Sequence, residues 1–233
     1  MATGIVSIAA LLQGLTLLAR TLFVFNIAFW AVLWVLYLAR AIRYPQRFFS
    51  DMIDHLRGPG FFTVVAGTAV LGTQVVLFTA SYRAALALGA LAAVLWLSLT
   101  YAIFAAFTIK QTKPALDKGN SGAWLLAVVA TQSLAVLGSL HAVHVHAHWK
   151  IAVNFFALSM WLWGGMLYIW LMGPIFYRYM FFRPAPEDLA PPFWINMGAM
   201  AISTLAGSML ILNVPDAPFL QAILPFLKGF TIL

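Results

Sequence analysis

Apolar residues run through this chain in long blocks, and polar, glycine and proline residues gather in the short gaps between them. A helix that crosses about 30 Å of hydrocarbon needs about 20 predominantly apolar residues. Runs of that kind, free or nearly free of charge, lie at 1–19, 21–39, 61–82, 84–109, 121–140, 151–177 and 193–213. An eighth starts near 217 and reaches the last residue with Lys228 inside it. There, 217–228 predicts an interfacial entry and Gly229–Leu233 the first turn of a further helix. The pattern predicts an all-α, polytopic membrane protein: one transmembrane domain over 1–233, with seven spans and the beginning of an eighth.

The spans alternate in kind. The first, third, fifth and seventh are slim and hydroxyl-rich, reading MATGIVSIAALLQG, VVAGTAVLGTQ, VVATQSLAVLGS and NMGAMAISTLAGS. The second, fourth and sixth are bulky and aromatic, as in FNIAFWAVLWVLYLA, LWLSLTYAIFAAF and NFFALSMWLWGGMLYIWLM. Small residues let helices approach closely or line a space, whereas aromatics fill a lipid-facing shell. The slim spans also share a late glycine (Gly14, Gly72, Gly138, Gly207), recurring at about 60 to 70 residues, so one helix pair is the repeating unit. A generic small-residue packing face explains part of this. Its recurrence in every odd span and no even span predicts an inner ring of odd helices screened by even ones.

Composition agrees with lipid as the main solvent. Hydrophobic residues make up 64% of the chain and charged residues 8%, against about 25% charged in a soluble domain. The absence of cysteine leaves no disulfide framework. A net charge of +7 does not point to nucleic acid, because the basic residues sit between apolar runs rather than on one aromatic-studded face. The first run has no basic leader and is too long for a signal peptide. Loops after even spans hold Arg40, Arg43, Arg47, Arg57, Lys110, Lys113, Lys118, Arg178 and Arg183, while the opposite side holds Arg20, Arg83, Lys150 and Lys228. Excess Lys and Arg mark the cytoplasmic side, so the even-to-odd loops and the N-terminus are expected there. Acidic residues influence topology little; five of the six, including Glu187 and Asp188, share that side.

No odd span carries an ionisable residue between its ends, which argues against an intramembrane proton relay, a cation site or a retinal Schiff base. The spans offer neutral donors instead: Thr3, Ser7, Thr63, Thr68, Thr73, Gln74, Thr131, Gln132, Ser133, Asn196, Ser203 and Thr204. Such donors stabilise an anion without trapping it. The candidate anion pathway comprises Ser7, Thr68, Gly72, Gln132, Ser133, Asn196, Ser203 and Thr204. For any single one, a bond to its own helix backbone is the commoner role. Gly58-Pro59-Gly60, Asn120-Ser121-Gly122 and Pro191-Pro192 punctuate the starts of odd helices, where free N–H groups and basic neighbours would favour anions. His141, His144, His146 and His148 read first as a solvated loop, with pH-sensitive gating or a metal site as alternatives. Asp51, Asp54 and His55 look catalytic on paper but lie in a basic, amphipathic turn. No nucleophile–base pair is evident, so no enzyme activity and no cofactor are expected. A haem redox protein would need histidines inside facing helices, and these lie at span ends.

MATGIVSIA at the start, HLRGPGFFTVVAGTAVLGTQ at 55–74, WLLAVVATQSLAVLG at 124–138 and PPFWINMGAMAISTLAGS at 191–208 together resemble the tellurite-resistance/C4-dicarboxylate transporter family, the last most specifically. Plant slow-type anion channels and fungal malate and sulfite transporters are its relatives. The resemblance implies ten helices in five hairpins around a central pore, commonly in homotrimers. It implies passage of chloride, nitrate, sulfite or C4-dicarboxylates, either as a channel or as a proton-coupled carrier, and no cofactor. Relatives usually have residues before MATGIVSIA, so Met1 is expected to be internal or a shortened start. The ninth helix, which in relatives carries a pore-blocking phenylalanine, has no counterpart here, so the chain is expected to be truncated and a non-functional fragment stays an alternative. Leucine at Gly72 or Gly207 is expected to obstruct the inner ring more than leucine at Gly164.

Overall fold

The computed structural model describes residues 1–183 and 190–232; Glu187, Asp188 and Leu233 lie outside the described residues. Helix α1 is Ala2–Leu12, α2 Thr16–Arg43, α3 Pro45–Met52, α4 Phe62–Thr79, α5 Tyr82–Ile109, α6 Leu116–Gly119, α7 Leu126–Ala142, α8 Ala147–Phe181, α9 Ile195–Leu212, α10 Pro218–Ala222 and α11 Leu224–Ile232. Among the described residues six helices, α2, α4, α5, α7, α8 and α9, are long and apolar enough to cross a membrane, counting the 3₁₀ turns that open three of them. The hairpin-built, all-α membrane architecture is thus present.

Two boundaries differ from expectation. The break between the first two runs falls at Gln13–Leu15 rather than at Arg20, because Gly14 adopts φ +80°, the left-handed region that ends helices. Arg20 is therefore inside α2, and α1 keeps 11 residues, a length of about 16 Å that does not cross hydrocarbon. At the other end α11 starts at Leu224, before the expected Gly229, and Lys228 lies within it.

A single 3₁₀ turn opens each of α4, α7 and α9: Gly58–Phe61, Gly122–Leu125 and Pro191–Trp194. The middle turn contacts the other two at one end of the bundle, with α3 against the first turn and α6 against α8. This basic end carries Arg40, Arg43, Arg47, Arg57, Lys110 and Lys113. A Cβ on Gly122 would collide with the Pro192 backbone oxygen, so the close seating of two of these turns depends on that glycine. At the far end Ala80, at φ 50°, closes the short α4–α5 link, and the histidine-bearing loop joins α7 to α8.

The alternation read from the sequence becomes a difference in burial. Within their apolar windows, 67% of α4 and 83% of α7 is buried, against 6% of α2 and 22% of α5. Slimness is the cause. Leu137 of α7 inserts between Gly72 of α4 and Gly89 of α5; a Cβ on these glycines would stand 2.8 and 3.3 Å from its Cδ2. Gly138 likewise admits Ala157 of α8. Without a hydrophobic drive between helices in lipid, such close packing is what holds them together. Helix α9 departs from the rule: its window is 22% buried, below the 39% of α8, and Met197, Leu205 and Leu212 are exposed. It packs on α7, α8 and α11 by one face only.

Candidate functional site

The polar groups of α4, α7 and α9 are the candidate site, and a repeated bond fixes their setting. Trp30 of α2 donates its indole N–H to the Thr68 hydroxyl of α4 at 3.1 Å. Trp96 of α5 donates to the Thr131 hydroxyl of α7 at 2.7 Å. Trp161 of α8 donates to the Ser203 carbonyl of α9 at 2.9 Å. Each bulky helix is thereby pinned to the slim helix that follows it. The accepting hydroxyls spend their own protons on the preceding turn, Thr68 on Val64 O and Thr131 on Ala127 O, both at 2.8 Å; Ser203 Oγ bonds Ala199 O at 2.7 Å. Sequence reasoning missed these tryptophans as partners. Their even spacing in the aromatic spans was the available signal.

The other expected residues fall as follows. Ser7 is fully buried and bonds Ala19 O at 2.7 Å, joining α1 to α2. Gln132 is fully buried and donates to Trp161 O at 3.1 Å; its Oε1 has no partner among the described residues. Ser133 bonds Val129 O at 2.7 Å. Asn196 accepts from the Tyr168 hydroxyl at 2.7 Å. Thr204 is exposed on α9 and bonds Met200 O. Gly72 lies against Leu88 and Leu137. Thr68, Gly72, Gln132 and Ser133 thus share the buried heart of α4 and α7, Ser203 and Asn196 sit half-buried beside it, and Ser7 and Thr204 stand apart. Gly164 is no bystander: a Cβ there would be 2.6 Å from Gln132 Nε2, whereas Gly173 has nothing within 4 Å. Of the sixth span's tryptophans, Trp161 is buried while Trp163 and Trp170 are exposed.

A second amide group lies towards α1. Asn26 donates to Gln74 Oε1 at 2.6 Å, and Gln74 Nε2, fully buried, has no partner among the described residues. Asn26 also lines a cavity of about 460 Å³ with Thr3, Trp30, Thr63 and Gly67. That cavity shares Tyr37, Thr63 and Val64 with one of about 550 Å³, which reaches Arg40, Asp51 and Arg57 at the basic end. There the Asp51 carboxylate accepts from Arg57 at 2.7 Å and from Arg40. The hydrogen bond from Arg57 is the main cause holding its pKa below the ordinary carboxylate value. His55 stacks on Phe107 with ring centroids 4.3 Å apart, and burial, then the charge of Lys110, lowers its pKa.

At the other end the histidines are split among different neighbours. His144 stacks on Tyr82 at 4.2 Å, His146 and His148 lie parallel at 6.3 Å, and His141 is buried. Among the described residues no three His, Asp or Glu side chains are placed to hold a metal ion. A buried amide node closes this end: Asn213 donates to Ser139 O and to Asn154 Oδ1, both at 2.8 Å, and Lys150 pairs with Asp216 at 2.7 Å.

Slim helices with neutral, buried donors, anchored to aromatic helices beside them, define a polytopic all-α membrane protein. The chain belongs to the SLAC1 family, described as voltage-dependent anion channel, which matches residues 1–232. Two uncharacterised transporters of Methanocaldococcus jannaschii are each 27% identical to it, over 238 and 240 residues, covering 97% of this chain. The chain spans 66% and 65% of those relatives' lengths, just under two-thirds. An uncharacterised membrane protein of Mycobacterium tuberculosis is 38% identical over 52 residues, 22% of this chain and 26% of that protein. No solved structure matches the chain.

Proposed function

We propose that this chain contributes to the transmembrane passage of small anions, such as chloride, nitrate, sulfite or C4-dicarboxylates, along the faces of its slim helices. The observation that carries the reading is the pair α4 and α7: both deeply buried, and both polar through neutral groups along their length, His141 in the last turn of α7 being their one ionisable residue. An uncharged donor holds an anion weakly enough to release it. The arginines and lysines at the basic end would raise the local anion concentration there, within a screening length of about 8 Å. The Gln74 N–H, buried and without a partner among the described residues, is the donor best placed to be offered to a passing anion. Thr68, Gly72, Gln132, Ser133, Asn196 and Ser203 shape the surrounding wall, and Ser7 and Thr204 are its outlying members. With α4 and α7 packed against each other, passage requires the slim helices to part, so the conformation described corresponds to a closed one.

The basic end faces the cytoplasm in this reading, with α1 starting on that side, in the cell membrane. Homotrimer assembly is part of the same proposal. Liposomes reconstituted with the protein test the reading. Chloride or nitrate flux that follows the anion gradient and voltage, without a pH gradient, supports a channel. Malate uptake strictly dependent on a proton gradient would replace it with the coupled-carrier alternative. Absence of any anion flux above empty liposomes would overturn both.

A further inference from the structure

Helix α2 has 28 residues, a length of about 42 Å, so its last turns pass beyond a hydrocarbon layer of about 30 Å into the headgroup region. Arg40 and Arg43 are in that last stretch. The chain then turns at Tyr44 and runs α3, whose Phe48 is buried against Tyr37 and Phe61, with ring centroids 5.0 and 5.1 Å away. Ile42, Tyr44, Phe49 and Leu56 remain exposed nearby. Arginines interleaved with exposed apolar and aromatic residues at this depth are the signature of a membrane interface.

Between the end of α2, α3 and the loop before α4 lies an open cup of about 640 Å³ lined by Arg40, Gln46, Arg47, Ser50, Asp51 and Arg57. Asp51 bridges Arg40 and Arg57, taking Nη2 of one and Nη1 of the other. This orients both guanidinium forks and leaves their remaining nitrogens for another acceptor. The two side chains stay 51% and 71% exposed. Arg47 stands 6.0 Å from the Tyr44 ring centroid. Three arginines against one aspartate leave the cup with two positive charges. The neighbouring cavity shares Arg40, Asp51 and Arg57 with it but is otherwise lined largely by apolar groups, including Tyr37, Phe48, Leu56 and Phe61. A charged mouth over an apolar seat is the shape of an amphiphile.

We infer that this cup binds the phosphate of an anionic phospholipid, with the start of its acyl chain lying over Phe48 and Leu56. Guanidinium forks match phosphate oxygens in bidentate fashion, and the Ser50 hydroxyl and Gln46 amide supply neutral donors. A lipid rather than a free phosphate is the occupant because the cup opens at headgroup depth beside apolar surface. The site is independent of whether the protein conducts anions.

The test is native mass spectrometry of the detergent-purified protein titrated with phosphatidylglycerol or phosphatidylcholine. The expected result is saturable retention of phosphatidylglycerol, weakened about fivefold by Arg47→Gln and further by Arg47→Gln with Arg57→Gln. Arg43→Gln, at the same end but outside the cup, is expected to leave retention within about twofold. Arg47 makes no ion pair with Asp51, so its single variant remains informative if the double variant does not fold. Equal weakening by Arg43→Gln and Arg47→Gln would reduce the site to bulk surface charge and overturn the inference. So would equal retention of the two lipids, or displacement of the lipid by inorganic phosphate at matching concentration.

Discussion

Helices α7 and α2 cross the same thickness of membrane with opposite surfaces. In α7 almost every side chain is buried, polar ones included, and its largest residues are leucines. In α2 three residues are buried, Ala19, Phe23 and Asn26; Trp30 and Tyr37 turn inward, and a face of Leu, Val, Ile and Phe, among them Leu17, Val24, Phe25 and Phe29, stays exposed. Both are apolar, so hydrophobicity does not separate them; side-chain girth does. A slim helix can be approached on every side, whereas a bulky one keeps neighbours away and meets lipid. Helix α9 refines the lesson. It has the slim composition yet is exposed on one face, so slimness permits burial and neighbours supply it.

Three paired changes probe that contrast, and a fourth probes the basic end, in falling order of effect. Trp161→Ala removes a buried ring, its edge contacts with Phe226 and Phe230 and the bond to Ser203. It should cost about 3–5 kcal/mol in a reversible unfolding titration, against about 0.5 kcal/mol or less for Trp170→Ala on the exposed side. Gly72→Leu drives carbon into Leu137 and should cost about 1–3 kcal/mol, while Gly173→Leu, facing open space, should stay near neutral. Equal losses at the two glycines would break the distinction between slim and bulky helices. Thr131→Val deletes the Trp96 acceptor inside the bundle and should cost about 0.6–1.7 kcal/mol, with Thr204→Val on the exposed face within about 0.5 kcal/mol. If the two threonines matter equally in thermal melts, the exposed face of α9 is covered in the working protein.

The smallest effect is a pH dependence at the basic end. His55 has its pKa lowered below the ordinary value of 6.5, chiefly by burial and then by Lys110; Asp54 opposes this and Lys113 adds to it. The unfolded chain therefore takes up the proton first as pH falls. Stability contributed by neutral His55 is complete above about 6.5 and is lost as pH drops through that value towards the lowered one. His55→Phe, which keeps the stacking on Phe107, should flatten a melting-temperature profile between about pH 7 and 5. A profile unchanged by the substitution would place the acid sensitivity elsewhere.

Much of the architecture was legible because lipid imposes a simple length rule and aromatic content marks α2 and α5 as outer helices against α4 and α7, though it does not separate α8 from α9. The α1–α2 break was misplaced at Arg20 since a charge looked like a boundary; the backbone turned instead at Gly14, and an arginine near a helix end costs little. The start of α11 was set too late because Lys228 looked interfacial, yet its stretch is helical from Leu224. Within the site, the polarity of Thr68, Gln132 and Ser203 could be read, but their partners could not. A hydroxyl in a helix first bonds the carbonyl four residues back, and only packing reveals which indole then uses it as an acceptor. Gly164 shows the same limit. Its place in an aromatic span hid that it faces Gln132.

The three tryptophan bonds span 38, 35 and 42 residues from donor to acceptor. Each is therefore complete once the next segment has entered the bilayer, and none waits for a part of the chain made much later. A protein tied in this way can be laid down like overlapping roof tiles, every new pair fastened to the one before it as synthesis proceeds.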